Sequence, residues 1–226
     1  MTTTSAERAP RTPTSTPSTR KHGASSGGVN PGVPRKREGL SEGANPGSLD
    51  AQANVFGALA LVVADQITAA AAQAAGQSVS GATALSALAH FLDRPSLDRL
   101  HSVLGLTPSG AVRLVDRLEA DGFVTRSAGP DGRTRSVVLT ARGRRVAVRV
   151  AAARAAVVRP LVADLSSAEQ ETLRDLLSRM MAKVVAAKEG GAWICRLCDI
   201  SACGRAEGRC PAANAGAVKY GHSEHS

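Results

Sequence analysis

The sequence predicts a mainly α-helical protein in which a helix, a tight turn, a second helix and a β-hairpin follow one another at the centre of the chain. The first observation behind this prediction is that apolar residues recur at helical spacing over most of residues 49–188. The second is a pair of β-branched runs on either side of a Gly-rich turn at residues 129–133. The third is a short C-terminal tail that contains all four cysteines.

Residues 1–48 are rich in Thr, Ser, Pro and Gly and offer little that could be buried, so the sequence predicts a disordered tail. This tail holds seven Lys or Arg and three Glu, and the difference supplies four of the nine net positive charges. A basic arm of this kind can add salt-dependent attraction to DNA. A solvated leader without a role is an equal alternative.

Helices are predicted over residues 49–76 and 80–92. Ser48 can cap the N-terminus of the first helix, and Gly76 can end it in a left-handed conformation. The many small side chains of this helix allow a second helix to approach closely, which suits a dimer interface as well as an ordinary core. The second helix ends before Pro95.

The central pair of helices carries clear start and stop signals. Ser96 can cap the first of them. Thr107 can cap the second, and Pro108 then occupies the first helical position, where no backbone N–H is needed. Gly122 is the expected stop of the second helix.

The second of these helices has one apolar side and one side with short polar residues and arginines. Strands are predicted at residues 123–125 and 136–140, joined by the turn at 129–133. Together these elements predict a winged helix-turn-helix, with residues 81–140 as its reader core. The apolar side of the helix consists of Ala111, Leu114, Val115 and Leu118.

A helix of this size fits the major groove of B-DNA, where arginine and short polar side chains can reach base edges. Arginines on the hairpin can contact a neighbouring minor groove or the phosphate backbone. The residues predicted to contact DNA are Thr107, Ser109, Gly110, Arg113, Arg117, Arg126, Arg133 and Arg135.

Two further helices follow the hairpin and extend to residue 188. The first covers residues 141–158 and is interrupted by Pro160. The second begins with a capping box formed by Ser166 and Glu169. Neither helix has an obvious packing partner inside so small a reader core.

The central motifs resemble the DNA-binding core of the MarR family of transcriptional regulators. The resemblance covers about residues 50 to 188 and rests on three phrases. The first is RLVDRLE at residues 113–119 with Gly122 after it, and the second is Asp131 with Arg133 at the wing tip. The third is a closing Leu-Thr pair before Gly143.

This resemblance implies a homodimer that binds a palindromic double-stranded DNA operator, usually as a repressor released by a small ligand or by oxidation. The helices at residues 49–76 and 141–188 would then intertwine with those of a second copy as the dimerisation part. The two reader helices would lie about one turn of DNA apart. The resemblance also implies a small-molecule pocket between the two parts, although no residue type marks it.

The four cysteines lie within sixteen residues, and the MarR resemblance does not reach them. In a cytosolic protein such crowding favours metal binding over disulfides, because cellular thiols keep such bridges reduced. The tail at residues 189–226 is therefore predicted to bind a metal. The predicted ligands are Cys195, Cys198, Cys203 and Cys210.

The spacing leaves the bound species open. A C-x2-C pair can hold a zinc ion within one turn, while iron–sulfur clusters also take four cysteines. Pro211 directly follows the last cysteine, as in one ferredoxin pattern. Free thiols that respond to oxidation are a third alternative.

A net charge of +9 predicts a polyanionic partner. We expect a cytoplasmic protein without a membrane contact, because we find no apolar run of membrane-spanning length in the sequence. No phosphate-binding Gly loop, nucleophile elbow or zinc-protease helix is found, so no enzymatic activity is predicted. The alternative to a DNA-binding regulator is a redox- or metal-sensing interaction module that uses the winged helix as a scaffold.

Overall fold

The computed structural model describes residues 47–129, 135–187 and 191–221. The predicted basic tail over residues 1–48 lies outside these residues, apart from its last two positions. Arg133 at the predicted wing tip lies outside them as well.

The described residues form a mainly helical fold with one small antiparallel sheet, which confirms the predicted winged helix-turn-helix. The reader core consists of α2, α3, α4 and the hairpin, and longer helices flank it on both sides. The helices are α1 (Leu49–Ala75), α2 (Val79–His90), α3 (Leu97–Leu104), α4 (Pro108–Ala120), α5 (Ala141–Val158), α6 (Pro160–Ala163), α7 (Ser167–Ala187), α8 (Ile200–Cys203) and α9 (Pro211–Tyr220), the strands are β1 (Val124–Ala128) and β2 (Arg135–Leu139), and a 3₁₀ helix, η1, covers Gly191–Leu197.

The predicted caps position the two central helices. The Ser96 hydroxyl accepts a hydrogen bond from the backbone N–H of Arg99 at 3.1 Å and so starts α3. Thr107 does the same for Gly110 at the start of α4, also at 3.1 Å. Gly122 follows α4 with a φ of 72°, a left-handed conformation that glycine adopts without a steric penalty.

Three boundaries differ from the prediction. Helix α2 begins at Val79 because the Ser78 hydroxyl, not a later residue, accepts the capping hydrogen bond from Gly81. Strand β1 begins one residue later than predicted and continues to Ala128. Strand β2 ends at Leu139 because Thr140 already caps α5.

The sheet fixes the wing to the helices. β1 and β2 pair antiparallel, from Val124 opposite Leu139 to Ala128 opposite Arg135. The segment before α3 extends the sheet at its other edge, because the backbone N–H of Val137 donates to the carbonyl of Pro95 at 2.9 Å. The hairpin is therefore held by the chain that leads into the reader helices.

The core lies between α2, α3, α4, the hairpin and α5. Helix α2 is buried along residues 81–87, so it forms the centre of this core. The largest side chains in it, with less than 2% of their surface exposed, include Leu85, Leu100 and Leu118. Burial of this kind contributes about 1.5–3 kcal/mol for each such side chain relative to leaving it in water.

Gly143 allows α5 to pack directly on the end of the reader core. Thr140 donates to the carbonyl of Gly122 at 2.8 Å and accepts from the N–H of Gly143 at 3.0 Å. A Cβ atom at position 143 would lie 2.0 Å from the carbonyl oxygen of Phe123, closer than atoms can approach. The closing Leu-Thr pair and its glycine thus join the hairpin to α5.

Helix α1 is less buried than a core helix. Its C-terminal half packs on α5, with Ala71 and Ala75 buried, while Leu59 and Leu61 are 53% and 65% exposed. By length and composition α1 is the one helix, among the described residues, that could cross a membrane. The expectation that no apolar run reaches this length was therefore wrong.

Helix α9 was not predicted, and it adds a packed helix to the C-terminal tail. It begins at Pro211 and packs against α7. The Lys219 ammonium donates to the carbonyls of Val185 and Ala186 at 3.2 and 3.0 Å, where α7 ends. The tail is thus not only a cysteine-rich segment, since it also covers the end of α7.

Candidate nucleic-acid interface

Helix α4 separates its two sides as predicted. The buried side faces the core through Ala111, Leu114, Val115 and Leu118. On the opposite side Thr107, Ser109, Arg113 and Arg117 are exposed, and Gly110 is half-buried. The helix therefore presents its polar side to solvent while its apolar side is fixed.

Gly110 has a packing role in addition to its predicted contact. A Cβ atom at this position would lie 3.0 Å from the Thr107 hydroxyl oxygen, which is the atom that caps the helix. A larger residue would press on this oxygen. The glycine therefore leaves space for the Thr107 cap, and the exposed side of the first turn has no side chain at this position.

The two arginines of α4 extend from its exposed side. Within the described residues, Arg113 makes one long hydrogen bond, of 3.4 Å, to the carbonyl of Ser109. Arg117 has no salt bridge to any residue within the described part of the chain. Both guanidinium groups can thus reorient toward a ligand without breaking an internal ion pair.

Val112 belongs to the same exposed side and was not predicted as a site residue. It is 41% exposed and lies between Ser109 and Arg113 on the surface of α4. Its apolar type places it among core residues in a pattern search. The signal that could have found it is its position off the apolar stripe of Ala111, Leu114 and Val115.

Arg126, one of the predicted DNA contacts, is held by two carboxylates of the reader helix. Its guanidinium group forms ion pairs with Asp116 and Glu119 of α4. Its backbone N–H also donates to Glu119 at 3.0 Å. Hydrogen bonding to Asp116 is the main cause that raises the pKa of Arg126 above its ordinary value. These contacts tie β1 to the outer side of the reader helix.

Two further arginines lie beside the tip end of the wing. Arg135 is exposed at the start of β2. Arg94, just before α3, has a φ of 42° and donates to the Ser127 hydroxyl and the Ala128 carbonyl at 3.1 and 3.0 Å. Arg94 thus holds the tip end of β1, Arg126 joins the middle of this strand to α4, and Arg135 is an exposed cation.

A cavity of about 350 Å³ lies between α2, β2 and α5. Most of its lining is apolar, with Leu88, Val137 and Val148 among the contributors, and Arg144 adds a charge. His90 also lines it, and its Nε2 atom is buried without a hydrogen-bond partner within the described residues. This lining suits a small, mainly apolar molecule with a polar group.

The four cysteines lie in or directly beside three short elements of the tail. Cys195 is in η1, Cys198 follows it, Cys203 ends α8, and Cys210 precedes α9. None forms a disulfide. Within the described residues, no three His, Cys, Asp or Glu side chains are arranged to hold a metal ion. The four predicted ligands therefore lie in one part of the chain, but they are not arranged around a common metal position.

Burial affects the thiols of this region. Desolvation is the main cause that raises the pKa of Cys195, and it raises the pKa of Cys198 to about 11. The neighbouring cysteines add to both shifts, while Arg205 opposes the shift at Cys195.

The cysteine region packs on the reader core. Helix η1 contacts both α2 and α3, and Leu197 packs against the hydrophobic core. The carboxylate of Asp199 is close enough to His90 at the end of α2 to interact electrostatically. The tail thus contacts two of the helices that pack against α4.

Comparison with known proteins gives a fold but no close sequence relative. No family model matches the chain, and no curated protein matches it. The solved structure of RV1404 from Mycobacterium tuberculosis is 24% identical, covers 59% of this chain and 92% of its own, and has a TM-score of 0.52. This match shows that the two proteins share a fold.

Two further solved structures match over a similar length. A MarR-family transcriptional regulator from Silicibacter pomeroyi is 26% identical, with 56% of this chain and 87% of that chain covered and a TM-score of 0.46. A mutant of S. aureus MepR bound to an oligodeoxyribonucleotide is 18% identical, with 59% and 95% covered and a TM-score of 0.45. MarR-family regulators are thus among the proteins that this chain resembles in structure, which confirms the predicted resemblance to that family.

Proposed function

We propose that this protein is a sequence-specific, double-stranded DNA-binding transcriptional regulator that acts as a dimeric repressor in the cytoplasm. One observation carries the proposal. Helix α4 is fixed by its buried side and presents Ser109, Arg113 and Arg117 on its exposed side. A helix held in this way can enter a major groove as a rigid unit.

Base readout would come from the exposed side of α4. An arginine recognises the paired acceptor atoms of guanine, and an exposed apolar side chain can contact the methyl group of thymine. Arg113 and Arg117 supply the first kind of contact, and Val112 supplies the second. The short side chains of Thr107, Ser109 and Gly110 allow the start of the helix to approach the DNA closely.

The wing would contribute contacts that are independent of sequence. Arg135 is the exposed cation of its described part, and Arg133 at its tip stays a predicted contact. Arg126 has a different role in this proposal, because its ion pairs with Asp116 and Glu119 fix the angle between wing and reader helix. It positions the other groups and does not bind the DNA itself.

Dimerisation would use the apolar surfaces that the single chain leaves exposed. Val55, Leu59 and Leu61 of α1 and Leu176 and Leu177 of α7 are each at least 47% exposed. Exposed apolar surface of this extent is typical of a protein–protein interface. A two-fold dimer would place two α4 helices on successive turns of one DNA face.

The cavity beside β2 and α5 is the candidate site for a small effector. It is lined by residues of the reader core and by Val148 and Arg144 of α5. A ligand there would touch both the wing strand and the helix that leads toward the dimerisation part. Such a position would let binding change the distance between the two reader helices.

The test begins with selection of preferred sites from a library of random DNA duplexes. On the selected site we expect Arg113→Ala to lose about 1–3 kcal/mol of binding free energy and to relax preference at one base pair. Arg174→Ala removes an exposed arginine from α7 and is the matched control, so it should bind like the unchanged protein.

Three results would contradict the proposal. They are the absence of any selected sequence, an equal loss of affinity for all sequences in Arg113→Ala, or an equal loss in the Arg174→Ala control. The first of these would favour the alternative in which the winged helix is a scaffold for the cysteine tail.

A further inference from the structure

We propose that Cys195, Cys198, Cys203 and Cys210 bind one Zn²⁺ ion through four thiolates, in a site formed by η1, α8 and the start of α9. These are all the cysteines of the chain. The site is separate from the DNA-contacting side of α4, and the proposal does not depend on DNA binding. It rests on how three short elements bring the four sulfur atoms into one region.

The backbone between the cysteines turns tightly at both ends. The N–H of Cys198 donates to the carbonyl of Cys195 at 2.9 Å, which closes one turn around the C-x2-C pair. After Cys203, Gly204 has a φ of 67°, and the N–H of Arg209 donates back to its carbonyl at 2.8 Å. Each turn thus shortens the path of the chain between two of the cysteines.

The elements that carry the cysteines contact one another. Helix η1, which holds Cys195, contacts α9, which begins directly after Cys210. Cys195 and Cys210 are also buried, at 8% and 5% exposure. The described residues do not place three ligands in finished coordination geometry, so an ion would have to draw the thiols together.

Two arginines surround this cluster with positive charge. Arg205 interacts electrostatically with Cys195, and Arg154 of α5 does so with Cys198. Four thiolates around Zn²⁺ carry a net charge of about −2, which such neighbours can offset. A buried cluster of thiols without a metal has no comparable need for two guanidinium groups.

We assign the site to zinc because of its ligand set. Structural zinc sites are closed by four ligands around a single ion, and C-x2-C pairs are typical of them. Iron–sulfur clusters also take four cysteines, and metal analysis distinguishes the two. Zinc binding involves no electron transfer, and the four thiols each release one proton to the solvent as four Zn–S bonds form.

Metal binding at this site would stabilise the tail where it supports the reader core. Helix η1, which carries Cys195, packs on α2 and α3, and Leu197 packs against the core. An ion that joins η1 to α8 and α9 would therefore link the packing of α7 and α9 to that of the reader helices. The site would be structural in the sense that it holds elements together.

The test is metal analysis of the full-length protein, purified without a histidine tag under reducing conditions. We expect about one zinc per chain. Replacement by Co²⁺ should give the visible bands and the sulfur-to-metal charge transfer of a tetrahedral thiolate site. Cys198→Ser and Cys203→Ser should each lose most of the zinc. Ala206→Ser adds the same hydroxyl group to the loop between Cys203 and Cys210 and should keep the zinc.

Analysis of the unchanged protein does not depend on how well the cysteine variants fold. The proposal is overturned if this protein contains no zinc and takes up none when Zn²⁺ is added to its reduced form. Iron together with inorganic sulfide would overturn the assignment to zinc. Equal zinc content in the two cysteine variants and in the unchanged protein would overturn the assignment of the ligands.

Discussion

The reader core and the flanking helices α1 and α7 differ in how they use their apolar residues. In the reader core, almost every large apolar side chain of α2 and α4 lies against another element of the same chain. In α1 and α7, side chains such as Leu59 and Leu177 are about half exposed, at 53% and 47%. The first region buries its apolar side chains within one chain, and the second leaves apolar surface that the proposed dimer would cover.

This difference assigns separate roles to the two regions. A core that is complete in one chain keeps α4 rigid, which specific base contact requires. Apolar helices that are incomplete in one chain lower their free energy by association, because burying apolar surface is worth about 25 cal/mol per Å². Substitutions on the exposed sides of α1 and α7 should therefore change the oligomeric state. Substitutions in the reader core should change the stability of the single chain.

The largest expected effect is on assembly. Leu59→Glu places a charge on the exposed apolar surface of α1 and should weaken dimerisation by about 2 kcal/mol or more, since a charge buried without a partner is costly. The chain itself should stay folded, because Leu59 is not part of the monomer core. Sedimentation velocity and far-UV circular dichroism measure the two quantities.

Val112→Glu makes the same kind of change at an exposed valine of the reader helix. We expect it to keep the dimer and to lose DNA binding, which is the opposite pattern to Leu59→Glu. Dimers of unchanged stability in Leu59→Glu would show that α1 is not part of the interface. Loss of the dimer in Val112→Glu would show that the two regions are not separate.

The second effect is on the stability of the reader core. Gly143→Ala should lower the free energy of unfolding by about 1–3 kcal/mol, because the new methyl group collides with the Phe123 carbonyl. Chemical denaturation measures this loss. Gly216→Ala in α9 has open space around its Cβ position and should be neutral or stabilising by up to about 1 kcal/mol. Equal stability of the two variants would disprove the close contact between α5 and the hairpin.

The smallest effect is local and concerns the start of α7. The carboxylate of Glu169 accepts hydrogen bonds from the hydroxyl and the backbone N–H of Ser166, at 2.7 and 2.8 Å, and these bonds lower its pKa. Because the folded-state pKa is lowered, the stabilisation is present above the unfolded pKa and is lost as the pH falls through the folded value. NMR titration should show the Glu169 pKa rising toward its ordinary value in Ser166→Ala. An unchanged pKa in that variant would contradict the capping box.

Local signals predicted the reader core well. Ser96 and Thr107 determine helix ends through their side-chain hydroxyls and Gly122 through its backbone conformation, so their effects could be seen in the sequence. The role of Gly143 became clear only in the structure, because Gly143 and Phe123 are 20 positions apart in the sequence and come together only in the fold. The same reason hid the ion pairs of Arg126, whose partners lie on a different element.

The cysteine tail was predicted only in its chemistry. The spacing of the four cysteines indicated metal ligands, but the sequence analysis did not predict α9. Helix α9 is short, and its Ala-rich stretch lacks a clear apolar side, so periodicity carries no signal there. Its packing on α7 and the contact of η1 with α2 and α3 depend on tertiary structure.

The most direct test of the account is a footprint of the protein on a duplex obtained by selection from random sequences. We predict a palindromic protected site whose two half-sites are centred about 10 base pairs apart, one for each α4 helix of a two-fold dimer. The Leu59→Glu variant should lose this protection. A protected site without two-fold symmetry, or full protection by the monomeric variant, would contradict the dimeric DNA-binding regulator proposed for this chain.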